Sequence, residues 1–460
     1  MSTAVQEELV QNLRSRVSGS VLDAEDLRYD EVRAVHNGLI DRRPLVIVRA
    51  ADARDVVAAL AAARSAGLEV SVRGGGHNVA GRAVTDGGLM IDLAEMRAIE
   101  VDPERRTATA QGGVTWAELN DATAAHGLAV TGGVVSSTGI AGLTLGGGLG
   151  WLMGTHGLAA DNLEAVELVT AAEDVLSVDG VHHPDLLWAL RGGGGNFGVA
   201  TALTYRLHPL DSVTGGLIAH PLDAGGDLLR FYRDAVAEAS DDLSVFAGLV
   251  HAPDGSGAKL AVLVACHAGE PAAAERELAP FTSYGSPLAV QVGRMPYPAM
   301  NRLLDGGFPK GALNYWLSSF TGGLTDALID TAVERFADTP SPMNSILFEH
   351  FHGAVTRVGP TDTAVPHREA GWNLLIPSVW TAPDSTADNV RWTRDTFDAV
   401  RPQLVARRWL SYLGDDQGAD AVRAAYGPNY DRLRAIKRRY DPDNVFHLNH
   451  NIEPANEQAA

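Results

Sequence analysis

Arg73-Gly74-Gly75-Gly76-His77-Asn78 is the stretch on which the reading of this chain turns. It follows an apolar run, Leu68-Glu69-Val70-Ser71-Val72, that reads as a buried strand. Three consecutive glycines let backbone N–H groups come close to an anion, because no Cβ intervenes. A histidine directly after such a loop sets its imidazole against whatever the loop holds. In isolation the motif suits a tight surface turn equally well. The rest of the chain separates the two readings.

Working outward, Pro44-Leu45-Val46-Ile47-Val48 and Gly88-Leu89-Met90-Ile91-Asp92-Leu93 read as strands, and residues 53–67 have helical spacing through Val56, Val57, Leu60 and Ala63. Residues 5–40 read as a helical lead-in, 107–110 as a strand and 116–125 as a helix. A second glycine system occupies residues 138–151. A strand over 165–171, a helix over 185–190, a third glycine system over 191–198 and a strand over 199–207 follow. Beyond Pro209 the glycine clusters thin out. Strands near 243–251, 258–266 and 345–355 alternate with helices near 225–239 and 324–337. One helix is expected over 419–440, and its basic cluster (Arg432, Arg434, Lys437, Arg438, Arg439) reads as a solvated face.

The chain's 460 residues exceed what one ordinary core holds, so two domains are expected. A formal net charge of −20 argues against nucleic-acid or anionic-membrane partners, which would be repelled. The single cysteine, Cys266, forbids an intrachain disulfide and lies in an apolar run that suits a buried, inert thiol. The first residues are polar and acidic, unlike a signal peptide, so a cytoplasmic protein is expected. A stretch without charged residues runs from Ala122 to Ala160, but it carries ten glycines between Thr131 and Ala160 and reads as a buried loop system rather than a membrane span.

Gly193-Gly194-Gly195-Asn196-Phe197-Gly198 fits G-x-G-x-x-G in form. A dinucleotide fingerprint lies between a preceding strand and a following helix. Here the expected order is reversed, so those glycines serve close backbone packing or contact with an adenosine. His350-x-His352 places two imidazoles on one strand face, either lining an active site or as ordinary pleat residues. No H-E-x-x-H or C-x-x-C pattern supports a metal. Tyr315, Trp316, Phe320 and Trp372 are candidates for an aromatic pocket wall or for core.

Taken together, Arg73–Asn78, Asp161-Asn162-Leu163, Trp188–Gly192 through Phe197-Gly198, and Asn449-x-Asn451-Ile452 resemble the vanillyl-alcohol-oxidase/p-cresol-methylhydroxylase (PCMH) superfamily. Within it the chain looks like the berberine-bridge-enzyme-like branch, near bacterial 6-hydroxy-D-nicotine oxidases and flavin-N5-oxide oxygenases. The resemblance implies an α+β, two-domain PCMH-type fold. Residues 1–210 plus 408–460 would bind FAD, and an inserted antiparallel-sheet domain, 211–407, would roof the ring and bind substrate. It implies FAD contacts from Arg73, Gly74, Gly75, Gly76, His77, Asn78, Val79 and Gly81, and from Val135, Ser137, Thr138, Gly139, Gly142, Gly146, Gly147, Gly148, Gly150 and Trp151. Asn162, Gly198, Val199, Phe446, Asn449 and Asn451 complete the set.

His77 would carry an 8α-histidyl bond to the flavin. Val135 stands where doubly linked relatives carry a cysteine, so a single covalent bond is implied. Thr138 falls where relatives face the oxygen pocket, and Leu317 where some carry a lysine. The implied activity is hydride transfer from a small organic substrate to FAD, followed by reoxidation by O₂ to hydrogen peroxide. An N5-oxide-type oxygenase and a non-catalytic flavin-binding protein are the alternatives. Candidate bases are Glu349, His350 and His352, with His251 and Tyr315 besides. Alternation along a strand allows only one of Glu349 and His350 to face the ring, and the expectation falls on His350 and His352.

Overall fold

The computed structural model describes residues 3–456. Val46–Arg49, Leu89–Asp92 and Val70–Arg73 pair in parallel, with Ser20–Leu22 antiparallel at one edge. The helix Ala53–Ala66 links two of these strands. Asp52 starts it by accepting from the amides of Arg54 and Asp55, and Gly67 ends it at φ 62°. Its apolar stripe (Val56, Ala59, Leu60, Ala63) packs in one core with Val46, Val48, Val70 and Ile91. This unit delivers the first glycine loop at the end of the strand Val70–Arg73.

Arg73 anchors the loop. Asp92, fully buried, accepts from Arg73 Nε at 3.0 Å and Nη2 at 2.6 Å, and from Arg49 Nε at 3.0 Å. Arg73 Nη1 also donates to the Val32 carbonyl. A second, five-stranded antiparallel sheet is ordered Ile99–Asp102, Thr107–Gln111, Val199–Arg206, Leu163–Val169, Val175–Val178.

A seven-stranded antiparallel sheet is built wholly from Val213–Trp380. Its order is Ala289–Met295, Val213–Pro221, Lys259–His267, Leu243–His251, Ile346–Phe351, Gly371–Trp380, Leu313–Phe320. Helices Gly225–Val236, Pro271–Ser283, Asp326–Ala337 and Thr386–Val400 cover one face, where Val245, Leu263, Phe348 and Ile376 pack against Leu229, Leu278, Ile329 and Phe397. Residues of opposite parity (Phe246, Val262, Val264, Leu347) face the glycine loops.

The chain then returns to the first part of the molecule. Leu410, Leu413, Tyr426, Leu433 and Ile452 join the core of Trp116, Leu186, Trp188 and Phe197. The expected single C-terminal helix is two, Gly418–Tyr426 and Tyr430–Tyr440, because Gly427 at φ 47° and Pro428 interrupt it. The basic cluster there is not uniformly solvated. Lys437 is fully buried, donating to Asp441 Oδ2 at 2.6 Å and to the Asn196 carbonyl at 2.7 Å. Arg432 lies 3.7 Å over the Trp188 ring.

The expected lead-in helix is a helix, Thr3–Arg16, a short strand and a short helix, Tyr29–Arg33. Four strands of the large sheet (Val213–Pro221, Ala289–Met295, Leu313–Phe320, Gly371–Trp380) lie outside the elements expected from the sequence. The strand expected over 345–355 ends at Phe351. Among the described residues no helix is long and apolar enough to cross a membrane.

Candidate active site

The glycine loops and the seven-stranded sheet enclose one cavity of about 470 Å³. Gly74, Gly75, Gly76, His77 and Asn78 line one side of it, with Val135, Thr138, Gly139, Gly142, Gly146, Gly148 and Trp151 from the second loop, and Gly198 and Asn449. The two loops meet backbone to backbone. A Cβ on Gly75 would stand 2.4 Å from the Gly139 amide nitrogen, and one on Gly139 would stand 2.3 Å from that of Gly75. Only glycine permits this approach.

The arrangement fits a dinucleotide anion. Among the described residues, the backbone N–H groups of Gly74, Gly75 and Gly76 donate to no protein acceptor. A Cβ on Gly142 would enter open space. His77 Nε2 is buried without a hydrogen-bond partner. Burial, then the neighbouring His36, holds the His77 imidazole down at about 3, so it is neutral at ordinary pH with a free lone pair. His36 stacks on it at 3.7 Å and 22°.

The remaining residues expected at the cofactor do not line the cavity, and several support it. Arg73 is the anchor described above. Val79 is buried, and its carbonyl accepts from Asn37 Nδ2 at 2.8 Å. Asn37 also bonds Asn314 at 2.9 and 3.0 Å, tying the first loop to the roof strand. Gly81 and Gly147 sit at φ 67° and 113°, and a Cβ on Gly150 would lie 1.7 Å from the Gly132 carbonyl oxygen. Asn162 Nδ2 donates to the His156 and Leu158 carbonyls at 2.9 Å, and its Oδ1 accepts from His208 Nε2 at 2.7 Å. Val199 and Phe446 are core, Ser137 is exposed, and Asn451 Oδ1 is buried without a partner.

On the roof the candidate bases are divided between the two faces of the sheet. Glu349, not His350 or His352, faces the cavity. His350 and His352 stack at 4.7 Å on the opposite face, with Trp372 5.1 Å from His350, and Trp372 Nε1 donates to the Tyr232 hydroxyl beneath the helices. Strand alternation decides this: once Glu349 points in, residues one position to either side point out. Tyr315 is outward too, its hydroxyl 2.8 Å from Asp416 and 3.0 Å from Arg394. Leu317 lies in the helix-side core. Of the aromatic candidates Trp316 lines the cavity, whereas Tyr315, Phe320 and Trp372 do not. His251 lines it.

Glu349 is 3% exposed. Its Oε1 accepts from the Tyr412 hydroxyl at 2.7 Å and its Oε2 from Asn373 Nδ2 at 2.7 Å. Burial pushes the carboxyl up to about 7, against these two donors, which pull it down. It therefore takes and releases a proton near neutrality. Sequence reading missed Tyr412, Phe246, Phe308 and Arg82, which also line the cavity. Tyr412 sits in the short turn Leu410–Tyr412, where no periodicity marks it. Arg82 reaches it by donating to the Asn449 carbonyl at 2.6 Å. Gly194, Gly195 and Asn196 of the third glycine system line it as well. They follow the helix Pro184–Leu190 and precede the strand Val199–Arg206, the reverse of the dinucleotide fingerprint. Cys266 is buried and its thiol pushed up by burial, which leaves it inert. Among the described residues no cluster of three or more metal-ligating side chains occurs.

A cradle of unbonded glycine amides thus faces a buried carboxylate across one cavity, an arrangement that fits a dinucleotide cofactor. The comparisons agree. Residues 44–179 match the family described as "FAD binding domain", and residues 410–453 match "Berberine and berberine like". The (R)-6-hydroxynicotine oxidase of Paenarthrobacter nicotinovorans is 31% identical over 95% of this chain and 97% of its own length. An FAD-linked oxidoreductase of Dictyostelium discoideum is 28% identical over 89% of each chain. The crystal structure of 6-hydroxy-D-nicotine oxidase from Arthrobacter nicotinovorans superposes with a TM-score of 0.87 at 28% identity, covering 95% of this chain and 98% of that one. The chain belongs to the berberine-bridge-enzyme-like family of FAD-linked oxidoreductases.

Proposed function

We propose that this protein is an oxidase that removes a hydride from a small organic substrate held between the glycine loops and Glu349. In this reading residues 1–210 plus 408–460 form the FAD-binding domain and 211–407 the substrate domain. The observation that carries it is the shared cavity, lined on one side by His77 and on the other by a buried carboxylate that titrates near neutrality. When bound, FAD supplies a two-electron acceptor that O₂ reoxidises to hydrogen peroxide.

The chain's own residues do the rest. The amides of Gly74, Gly75 and Gly76 neutralise the pyrophosphate without lysines. His77, kept neutral by burial, would supply the lone pair for one covalent attachment to the cofactor, an N–C bond that would replace a C–H bond and leave two electrons on the flavin for O₂ to remove. Val135 lines the same cavity without a nucleophile, so no second attachment forms. Glu349 takes the substrate's O–H or N–H proton onto Oε1 or Oε2. Asn373 and Tyr412 fix the carboxylate's orientation. The apolar walls exclude water from the reacting C–H bond.

The test is intact-protein mass and acid precipitation of the purified protein, followed by anaerobic bleaching against a compound panel. Wild-type protein stays yellow when precipitated, and His77→Ala releases its flavin. His77→Ala protein that keeps its flavin through precipitation would falsify the linkage. No bleaching by any compound, with no peroxide under air, would remove the oxidase reading.

A further inference from the structure

Resting on the reading that His77 carries the cofactor, we propose that His36 is a positioning residue for that attachment: its imidazole, stacked on the face of His77, fixes the plane of the ring that forms the bond. His77 lines the cavity and His36 does not, so His36 acts from behind and through His77. The two rings lie 3.7 Å apart and 22° from parallel. The torsion that turns a histidine ring about its Cβ–Cγ bond is broad, so a contact is needed to fix the ring's plane. His77 Nε2 has no hydrogen-bond partner, and the stack supplies the restraint that this atom does not. Turning His77 out of the stack drives its edge into the His36 ring.

His36 is itself held, only 6% exposed, by bonds to the residues that flank His77. Its N–H donates to the Gly76 carbonyl at 2.9 Å, and its carbonyl accepts from the Gly311 N–H at 2.9 Å. Asn37, next in the chain, donates from Nδ2 to the Val79 carbonyl at 2.8 Å and to the Asn314 carbonyl at 3.0 Å. Gly76 precedes His77 and Val79 lies two positions after it, so the two segments are tied together on both sides of the ring. The stack also excludes proton exchange between the rings. The N–H bonds and lone pairs of an imidazole lie in its plane, and near-parallel faces aim none of them at one another. Burial, then the Lys310 charge, holds the His36 imidazole down at about 4, so at ordinary pH both rings are neutral and stack without repulsion. Attachment forms one N–C bond and breaks one C–H and one imidazole N–H bond. The two protons released and the two electrons left on the flavin pass to O₂ as hydrogen peroxide. That balance asks for no proton and no electron from His36, whose part is to hold the nucleophile still.

The experiment uses the full-length protein carrying FAD, as wild type, His36→Leu and His36→Phe. At a series of times after protein synthesis is halted, total bound flavin is read from absorbance, and the attached fraction from acid precipitation and intact-protein mass. His36→Leu should attach its flavin at least about tenfold more slowly, at unchanged total bound flavin and melting temperature. His36→Phe restores a flat ring without a nitrogen and should recover the wild-type rate within about threefold. His36→Ala replaces a leucine variant that does not fold, and His36→Tyr a phenylalanine variant that does not. Attachment by His36→Leu at the wild-type rate overturns the proposal. So does a rate lost alike in His36→Leu and His36→Phe, because a ring nitrogen and not the stack would then matter. A rate that falls only in step with total bound flavin overturns it too, because His36 would then merely shape the loop. If wild-type protein holds no flavin through precipitation, the linkage reading itself has failed. If it does and His36→Leu matches it, the linkage stands and the role of His36 falls.

Discussion

Tyr412→Phe is the most informative single change, because it removes one oxygen atom and leaves the ring. In the folded protein the Tyr412 hydroxyl donates to Glu349 at 2.7 Å and favours the ionised carboxylate, while burial opposes it, with the balance at about 7. A hydrogen bond to a charged group contributes about 1.5–3 kcal/mol. Its loss raises the carboxyl by about 1–2 pH units, to about 8–9. The ionised fraction at pH 7 then falls about five- to fiftyfold. Since the proposed base must be ionised, the acidic limb of kcat/KM moves to higher pH by the same interval. The plateau at high pH should return close to wild type. The assay is stopped-flow reduction of the flavin under anaerobic conditions across a pH series, with any compound that bleaches the wild-type protein. A uniform loss at every pH, with the limb unmoved, would mean that Tyr412 shapes the pocket without setting the base, and the assignment of Glu349 would lose its support.

Three further outcomes follow from the packing. Gly75→Ala places a Cβ 2.4 Å from the Gly139 nitrogen, backbone against backbone, so the variant should purify with FAD content reduced at least about tenfold, read from the ratio of flavin to protein absorbance. Lys437→Met leaves Asp441, itself fully buried, without its cation and should lower unfolding free energy by about 3–5 kcal/mol in urea titration. Glu349→Gln should stabilise the protein above neutral pH. The folded carboxyl titrates at about 7 against an ordinary 4.5, so wild-type stability declines as pH rises through that window. The linked difference is about 3 kcal/mol, and it should be present at pH 8 and nearly absent at pH 4 in melting temperatures of the two proteins.

The glycine loops were legible because their requirement is local. A strand's apolar run, three residues without Cβ and a histidine are consecutive in the chain, and the conformations they need follow from covalent geometry. The helix Ala53–Ala66 was legible for the same reason, since Asp52 and Gly67 cap it and its apolar period is complete. The resemblance carried the family and the cofactor. The exposed-face reading of Lys437 failed because its partners, the Asn196 carbonyl and Asp441, are brought to it by the fold of a distant glycine loop and a following turn.

The roof shows where sequence stops. Alternation established that Glu349 and His350 point in opposite directions, and that much is fixed by the pleat of any strand. Which of them points at the cavity depends on which face of the seven-stranded sheet the four helices cover, and that is settled by packing between segments far apart in the chain. Tyr412 meets Glu349 from a segment 63 positions away, through a short turn without periodicity. The chain by itself thus determined the cradle, whose chemistry is written in neighbouring residues. Only the tertiary structure decided that Glu349 and not His350 faces it, because the inward side of a sheet belongs to the assembly of layers and to no strand alone.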